Sequence, residues 1–191
     1  MRLAPIVLFA ALALIGFSPA AFAHVGDHSP ISFVAGLAHP FAGLDHLLAM
    51  VAVGLWASQL GRPALWLLPL TFPAVMALGA AVGIAGVAIP GVEIGTAGSV
   101  LVLGAAAALA LRPSLPISVS LIGLFALLHG YAHGAELPAN ASALTYAAGF
   151  MIATLLLHGA GVALGLLPAR IAARTAGGAI AAAGVLLLIA H

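Results

Sequence analysis

Residues 64–87 read ALWLLPLTFPAVMALGAAVGIAGV, an unbroken run of apolar and small residues without a charged side chain. A helix needs about 20 such residues to cross the roughly 30 Å hydrocarbon core of a bilayer. The whole chain has this character, because 64% of its 191 residues are hydrophobic and only 5% are charged. Soluble domains carry roughly 25% charged residues, so the composition predicts a membrane-embedded protein.

A few charged residues and prolines divide the chain into six apolar segments. We expect spans near Ile31–Ser58, Ala64–Val87, Val92–Leu111, Leu115–His133, Ala143–Leu167 and Ile171–Ala190. Lipid permits only helices or closed barrels, and leucine- and alanine-rich runs of this length favour helices. The sequence therefore predicts an all-α polytopic bundle of about six transmembrane helices, formed by residues 24–191 as a single domain.

The N-terminus has the pattern of a cleavable signal peptide. Arg2 precedes the short apolar segment Leu3–Phe17, and Ala21-Phe22-Ala23 supplies a small-x-small cleavage site. We expect residues 1–23 to be removed, which makes His24 the first mature residue; the alternative is an uncleaved additional helix.

The arginines then predict the orientation. With the signal removed, Arg62, Arg112, Arg170 and Arg174 all fall in loops on one side of the membrane. Because basic loops face the cytoplasm, we expect a bacterial inner-membrane protein with both mature termini in the periplasm.

Charge and cysteine content exclude several classes of site. The net charge of +1 gives no basic surface for nucleic acid. The absence of cysteine excludes disulfides and thiolate metal sites. Imidazole, carboxylate and thioether groups remain as possible metal ligands.

Ionisable residues are costly inside a membrane, and they concentrate in two of the predicted spans. The six candidates are His39, Asp45 and His46 in the first span and His129, His133 and Glu136 in the fourth. The second set is spaced i, i+4, i+7, which places it on one helical face. Imidazoles and carboxylates grouped in this way predict a site for a divalent transition metal.

Five further residues are weaker candidates. On a continuous first helix, Met50 would share a face with His39 and His46, although a methionine there is more typical of packing. Pro40 predicts a kink in that helix. His158 in the fifth span fits a structural histidine equally well. His24, Asp27 and His28 would either capture metal at the mouth or form a solvated terminus.

A short internal similarity links the two histidine-rich spans. His39-Pro-Phe-Ala and His129-Gly-Tyr-Ala share the pattern His-x-aromatic-Ala. With three spans in each half, the halves would be inverted repeats that meet near the middle of the membrane.

These motifs resemble the HupE/UreJ family. The resemblance rests on His39-Pro40-x-x-Gly43-x-Asp45-His46-x-x-x-Met50 and on His129-Gly130-x-Ala132-His133-Gly134-x-Glu136. The family comprises hydrogenase- and urease-accessory membrane proteins regarded as nickel or cobalt permeases. It implies that His39, Asp45, His46, His129, His133 and Glu136 belong to the metal path. The larger nickel/cobalt transporter family has four residues between its first histidine and the Asp-His pair, whereas this chain has five.

We therefore expect a permease that takes up Ni²⁺, or alternatively Co²⁺, for metalloenzyme maturation. Its partners would be the lipid bilayer, the ion and the nickel-enzyme maturation machinery, with no permanently bound cofactor and no enzymatic activity. One alternative is an intramembrane zinc hydrolase, although Gly130 stands where a His-Glu-x-x-His enzyme has its general base. The others are a haem protein with axial histidines and a protein that binds metal without transport.

Overall fold

The computed structural model describes residues 29–137 and 142–190, with side chains from residue 32 onward. The predicted signal peptide and the candidates His24, Asp27 and His28 lie outside these residues.

The described chain is helical throughout and contains no strand. Its helices are α1 (Ser29–Ala42), α2 (Leu44–Leu60), α3 (Ala64–Ile84), α4 (Val92–Leu109), α5 (Leu115–Ala135), α6 (Ala143–Leu166) and α7 (Arg170–Ala190). Helices α3 to α7 are each long and apolar enough to cross a bilayer, and the bent pair α1–α2 makes a sixth span if it is counted as one. The predicted class, a polytopic helical membrane bundle, is confirmed.

The first predicted span is two helices rather than one. Helices α1 and α2 meet at Gly43 and are bent by 81°. Helix α1 runs through Pro40, where we expected a kink, and ends one residue before Gly43. Gly43 has an extended backbone, with φ −101° and ψ 121°. The chain thus turns at glycine, which has a far lower helix propensity than most residues, while Pro40 is tolerated in the last turn of α1.

Three helix pairs make the most extensive contacts: α3 with α5, α4 with α7, and the α1–α2 pair with α6. In each pair, the two helix backbones come closest at glycine residues. A Cβ atom on Gly130 would meet the carbonyl of Met76, and one on Gly161 would meet the carbonyl of Val51. Small residues at such crossings let helix backbones touch, so the glycines set how closely α5 and α6 approach their partners.

The two ends of the bundle differ in charge. Trp56 of α2 donates to the carbonyl of Leu111 beyond α4, and Arg174 of α7 donates to the carbonyl of Ala108, so these helix ends share one side. The arginines of the described chain gather there: Arg62, Arg112, Arg170 and Arg174. Glu93 at the start of α4 and Glu136 after α5 lie at the opposite end.

Candidate metal site

Four imidazole rings meet where α1, α2 and α5 converge. The ring centroids of His39 and His133 lie 4.9 Å apart, those of His46 and His133 4.2 Å, and those of His46 and His129 4.8 Å. We call these four residues, His39, His46, His129 and His133, the histidine cluster. The two motifs predicted from sequence therefore come together in space.

The cluster and Glu136 form a series from the surface to the interior. The Glu136 side chain is 65% exposed and that of His39 33%. Exposure falls to 12% at His46, 6% at His133 and 0% at His129. An ion that arrived at the Glu136 end would therefore meet imidazoles at every step of its dehydration.

Asp45 orients one ring of the cluster. Its carboxylate accepts a hydrogen bond from His46, with 2.8 Å between Oδ1 and Nδ1. A carboxylate can only accept here, so Nδ1 carries the proton and the lone pair of the neutral ring is on Nε2. That Nε2 atom is buried and has no hydrogen-bond partner within the described part of the chain. Asp45 thus acts as a support for a histidine, the arrangement common around metal-binding imidazoles.

Gly43 leaves room for this pair. A Cβ atom at position 43 would lie 2.8 Å from His46 Nδ1 and 2.9 Å from Asp45 Oδ1. Asp45 also lies in the first turn of α2, where a carboxylate is favoured by the helix dipole. The bend therefore brings His39 and His46 together from different helices and makes space for the Asp45–His46 hydrogen bond.

Ser99 of α4 orients His129. Its hydroxyl lies 2.6 Å from the carbonyl of Thr96, which can only accept, so the hydroxyl donates its single proton there. The same oxygen lies 2.8 Å from His129 Nε2 and must accept from it. The proton of the neutral His129 ring is therefore on Nε2. Its Nδ1 atom keeps the lone pair and is buried, with no hydrogen-bond partner in residues 29–137 and 142–190.

His133 lies at the centre of the cluster, and neither of its ring nitrogens has a hydrogen-bond partner among the residues that the structure describes. The ring packs against Phe150 of α6, with centroids 4.2 Å apart. Tyr146, one turn earlier in α6, packs against His39 at 5.8 Å. Phe150 and Tyr146 of α6 therefore place aromatic rings against two members of the cluster.

Glu136 adds a carboxylate at the exposed end. Its Oε2 atom is 4.0 Å from His39 Nε2. His39, His133 and Glu136 each offer one ligand atom, and these three atoms all lie within 4.8 Å of one another. This spacing is compatible with three ligands around one metal ion after small side-chain adjustments.

Two weaker candidates do not join the cluster. Met50 is fully buried in the hydrophobic core of α2. His158 lies deeper, and among the described residues its only aromatic-ring contact is with Phe72. The single helical face predicted for His39, His46 and Met50 does not form, because His39 lies on α1 and the other two lie on α2, across the 81° bend.

Comparison with known proteins agrees with the motifs. The profile described as "HupE / UreJ protein" matches residues 12–187. The chain is also 46% identical over 182 residues to Protein HupE of Rhizobium leguminosarum bv. viciae, covering 93% of this chain and 95% of that protein. The chain belongs to the HupE/UreJ family. No solved structure is similar to it.

Several residues that shape the site of this HupE/UreJ protein were missed by the sequence analysis. Ser99 carried a signal, because a hydroxyl in a predicted apolar span needs a partner. No signal in the sequence marked the three aromatic residues, since aromatic residues are common in membrane helices; they are Phe72, Tyr146 and Phe150. The role of Gly43 depends on a bend that the sequence did not place.

A largely apolar cavity of about 340 Å³ adjoins the HupE/UreJ cluster. It lies between α3, α5 and α6, and its lining includes His133, Phe150 and the exposed Leu144. It lies where the backbones of α5 and α6, although consecutive in the chain, do not approach each other closely.

Proposed function

We propose that this protein carries a divalent transition metal, Ni²⁺ first and Co²⁺ second, across the bacterial inner membrane toward the cytoplasm. The observation that carries the proposal is the histidine cluster, in which His46, His129 and His133 have buried ring nitrogens without a partner. Buried polar atoms in native proteins are normally satisfied. Imidazole nitrogens without partners inside a membrane protein are what an ion-binding position requires before its ion arrives.

The ligand set favours a borderline transition metal. Neutral imidazole suits Ni²⁺, Co²⁺ and Zn²⁺, whereas Mg²⁺ and Mn²⁺ favour sites richer in oxygen. Asp45 and Glu136 add two carboxylates that offset the charge of a divalent ion. Membership of the HupE/UreJ family supports nickel or cobalt as cargo and an accessory role toward hydrogenase or urease.

The direction of transport follows from the proposed orientation and from the membrane potential. With the arginine end inside, the cluster opens toward the periplasm. A potential that is negative inside favours inward movement by about 2.3 kcal/mol per charge per 100 mV, and by roughly twice that for a divalent ion. Facilitated uptake therefore needs no ATPase, and the cell would use the ion for metalloenzyme maturation.

The test is uptake into proteoliposomes, measured separately for Ni²⁺, Co²⁺, Zn²⁺ and Mn²⁺ under an inside-negative potential. We expect Ni²⁺ or Co²⁺ to enter fastest and His133→Ala to abolish the signal. Tyr131→Phe is a matched control on α5, because the Tyr131 hydroxyl contacts the backbone of Ile89 away from the cluster. Tight metal binding without uptake in any of the four assays would refute transport and leave a metal-binding membrane protein.

A further inference from the structure

His158 of α6 is separated from the histidine cluster by one aromatic side chain. The ring centroid of Phe72 lies 5.7 Å from that of His129 and 5.3 Å from that of His158. Both Phe72 and His129 are fully buried, and His158 is 1% exposed. His158 also lies two turns beyond Phe150, which is about 12 Å along α6 at 1.5 Å per residue. It is therefore farther from the exposed end at Glu136 than any ring of the cluster.

A proline in α3 fixes the hydrogen bonding of His158. Pro73 has no N–H, so the carbonyl of Pro69, four residues earlier, lacks its usual helical donor. His158 Nδ1 lies 3.2 Å from this carbonyl oxygen. Because the oxygen can only accept, Nδ1 carries the proton and Nε2 carries the lone pair of the neutral ring. That Nε2 atom is buried, and no described residue forms a hydrogen bond with it.

Thr154 lies one turn before His158, on the same face of α6. Its side chain is fully buried, and its Oγ1 atom also forms no hydrogen bond with any residue that the structure describes. A threonine inside a helix usually bonds back to the carbonyl three or four residues earlier, and this one does not. Two polar side chains on one face of α6, one helical turn apart, therefore have potential ligand atoms without hydrogen-bond partners among the described residues.

We propose that His158 and Thr154 form a second, inner binding position for a divalent transition metal, separated from the histidine cluster by the ring of Phe72. Imidazole nitrogen and hydroxyl oxygen, completed by water, are suitable ligands for Ni²⁺ or Co²⁺. The transported ion would then pass through two positions in series. This inference rests on the proposed transport function and extends it to the deeper half of the path.

His158→Asn separates a ligand from a structural histidine. The amide nitrogen of asparagine can replace Nδ1 and keep the hydrogen bond to Pro69, but no atom replaces Nε2. His158→Gln instead loses the hydrogen bond to Pro69 and keeps a possible ligand atom, since its longer side chain places an amide oxygen near the Nε2 position. Thr154→Val removes the hydroxyl while it keeps the shape of the side chain. Met50→Leu serves as a matched control, because Met50 is equally buried in α2.

Each variant is purified in detergent and titrated with Co²⁺, whose visible absorption reports imidazole ligands, and is then assayed for Ni²⁺ uptake in proteoliposomes. We expect His158→Asn to lose a weaker Co²⁺ binding phase, to keep the tighter phase, and to slow uptake by about ten-fold or more. We expect His158→Gln to recover part of the rate, Thr154→Val to lose part of it, and Met50→Leu to match the wild type.

Wild-type uptake and a wild-type titration in His158→Asn would overturn the inner position, because they would show that only the Pro69 hydrogen bond matters. Loss of folded protein in both His158→Asn and His158→Gln, judged by gel filtration, would assign His158 to structure and overturn it as well. If the wild type transports no metal, the transport function fails separately. The His158-dependent Co²⁺ phase still decides whether the inner position exists.

Discussion

His133 has the least satisfied side chain of the cluster, because both of its ring nitrogens are buried without partners. A buried polar group that loses its hydrogen bond costs about 1–3 kcal/mol. Binding of an ion to one nitrogen would offset part of that cost, which supports the proposed role of the cluster in binding metal. The neighbouring rings of His39 and His46 lie close enough to share it.

If His46 and His133 bind the same ion, the effects of their substitutions on uptake should not be independent. We expect His46→Ala and His133→Ala each to remove most Ni²⁺ uptake while the protein remains inserted in the membrane. The double variant should lose far less than the product of the two single effects, because residues that act as one unit are non-additive. The measurement is the initial uptake rate, normalised to the protein present. Multiplicative losses well above background would instead indicate two separate sites.

Ser99 provides a second test at the level of a single hydrogen bond. Ser99→Ala should weaken metal binding by about 10- to 100-fold, the usual effect of removing a group that supports a ligand. It should also change the ¹⁵N NMR signals of the His129 ring, because Nε2–H loses its acceptor. Ser99→Thr keeps the hydroxyl and should restore much of the affinity.

Thr96→Val is the matched control for Ser99→Ala, because the Thr96 hydroxyl donates only within its own helix, to the carbonyl of Glu93. Equal losses in Thr96→Val and Ser99→Ala would show that the effect comes from α4 packing rather than from His129.

The residue types of the candidate site could be predicted from the sequence, but their chemical states could not. The cost of ionisable side chains in lipid is enough to select His46 and His129. The nitrogen that keeps its lone pair depends on Asp45 in one case and on Ser99, from a different helix, in the other. Such contacts depend on tertiary packing that one sequence does not specify.

The bend at Gly43 is the decisive feature at the level of helices. A broken helix exposes backbone groups in the middle of a bundle, and transporters use such breaks at their binding sites. Spacing along a regular helix predicted that His39 and His46 would be neighbours, and their ring centroids do lie 6.4 Å apart. They reach this position from two helices bent by 81°, so the contact was predicted for the wrong reason.

Gly43→Ala tests the bend directly. The added methyl group would lie within 3 Å of both Asp45 Oδ1 and His46 Nδ1, so their hydrogen bond must shift. We expect the variant to insert normally but to bind Ni²⁺ at least about ten-fold more weakly, as judged by isothermal titration. A Cβ atom on Gly159 in α6 would meet nothing within 4 Å, so Gly159→Ala should bind like the wild type. Unchanged affinity in Gly43→Ala would remove the Asp45–His46 pair from the site.

The charge asymmetry of the whole bundle leads to a topology prediction. All arginines of the described chain lie at one end, which we assign to the cytoplasm. Reporter fusions in the loops at Arg62 and Arg112 should therefore report the cytoplasm. A fusion after His191 should report the periplasm. The reverse pattern would turn the cluster toward the cytoplasm and make the protein a candidate for efflux.

The three most extensive helix contacts have the symmetry expected of inverted repeats, whereas the contacts of α2 with α3 and α4 have no counterpart between α5 and α6 or α7. If the first three spans are exchanged with the last three, the α1–α2 pair corresponds to α5, α3 to α6 and α4 to α7. The contact between α3 and α5 then corresponds to the contact between α6 and α1–α2, and the contact between α4 and α7 corresponds to itself. The glycine pairs agree, since Gly79 and Gly83 of α3 correspond to Gly161 and Gly165 of α6 in their backbone contacts. The sequence predicted that His39 and His129 are equivalent positions in the two halves. In the symmetric contacts, the position equivalent to Gly130 is instead Gly54. The glycine contacts therefore identify equivalent positions in the two halves, whereas the histidines do not.

The apolar cavity between α3, α5 and α6 gives the histidine cluster a second route of access. The cavity is lined almost entirely by apolar residues of three membrane helices and Leu144 at its rim is 82% exposed, so we expect it to open toward the lipid, while His133 lines its wall. A lipophilic chelator dissolved in the bilayer could reach His133 without passing Glu136. The potency of such inhibitors would follow their partition coefficient rather than their aqueous concentration, and a bulky side chain at Ala147, which also lines the cavity, would confer resistance.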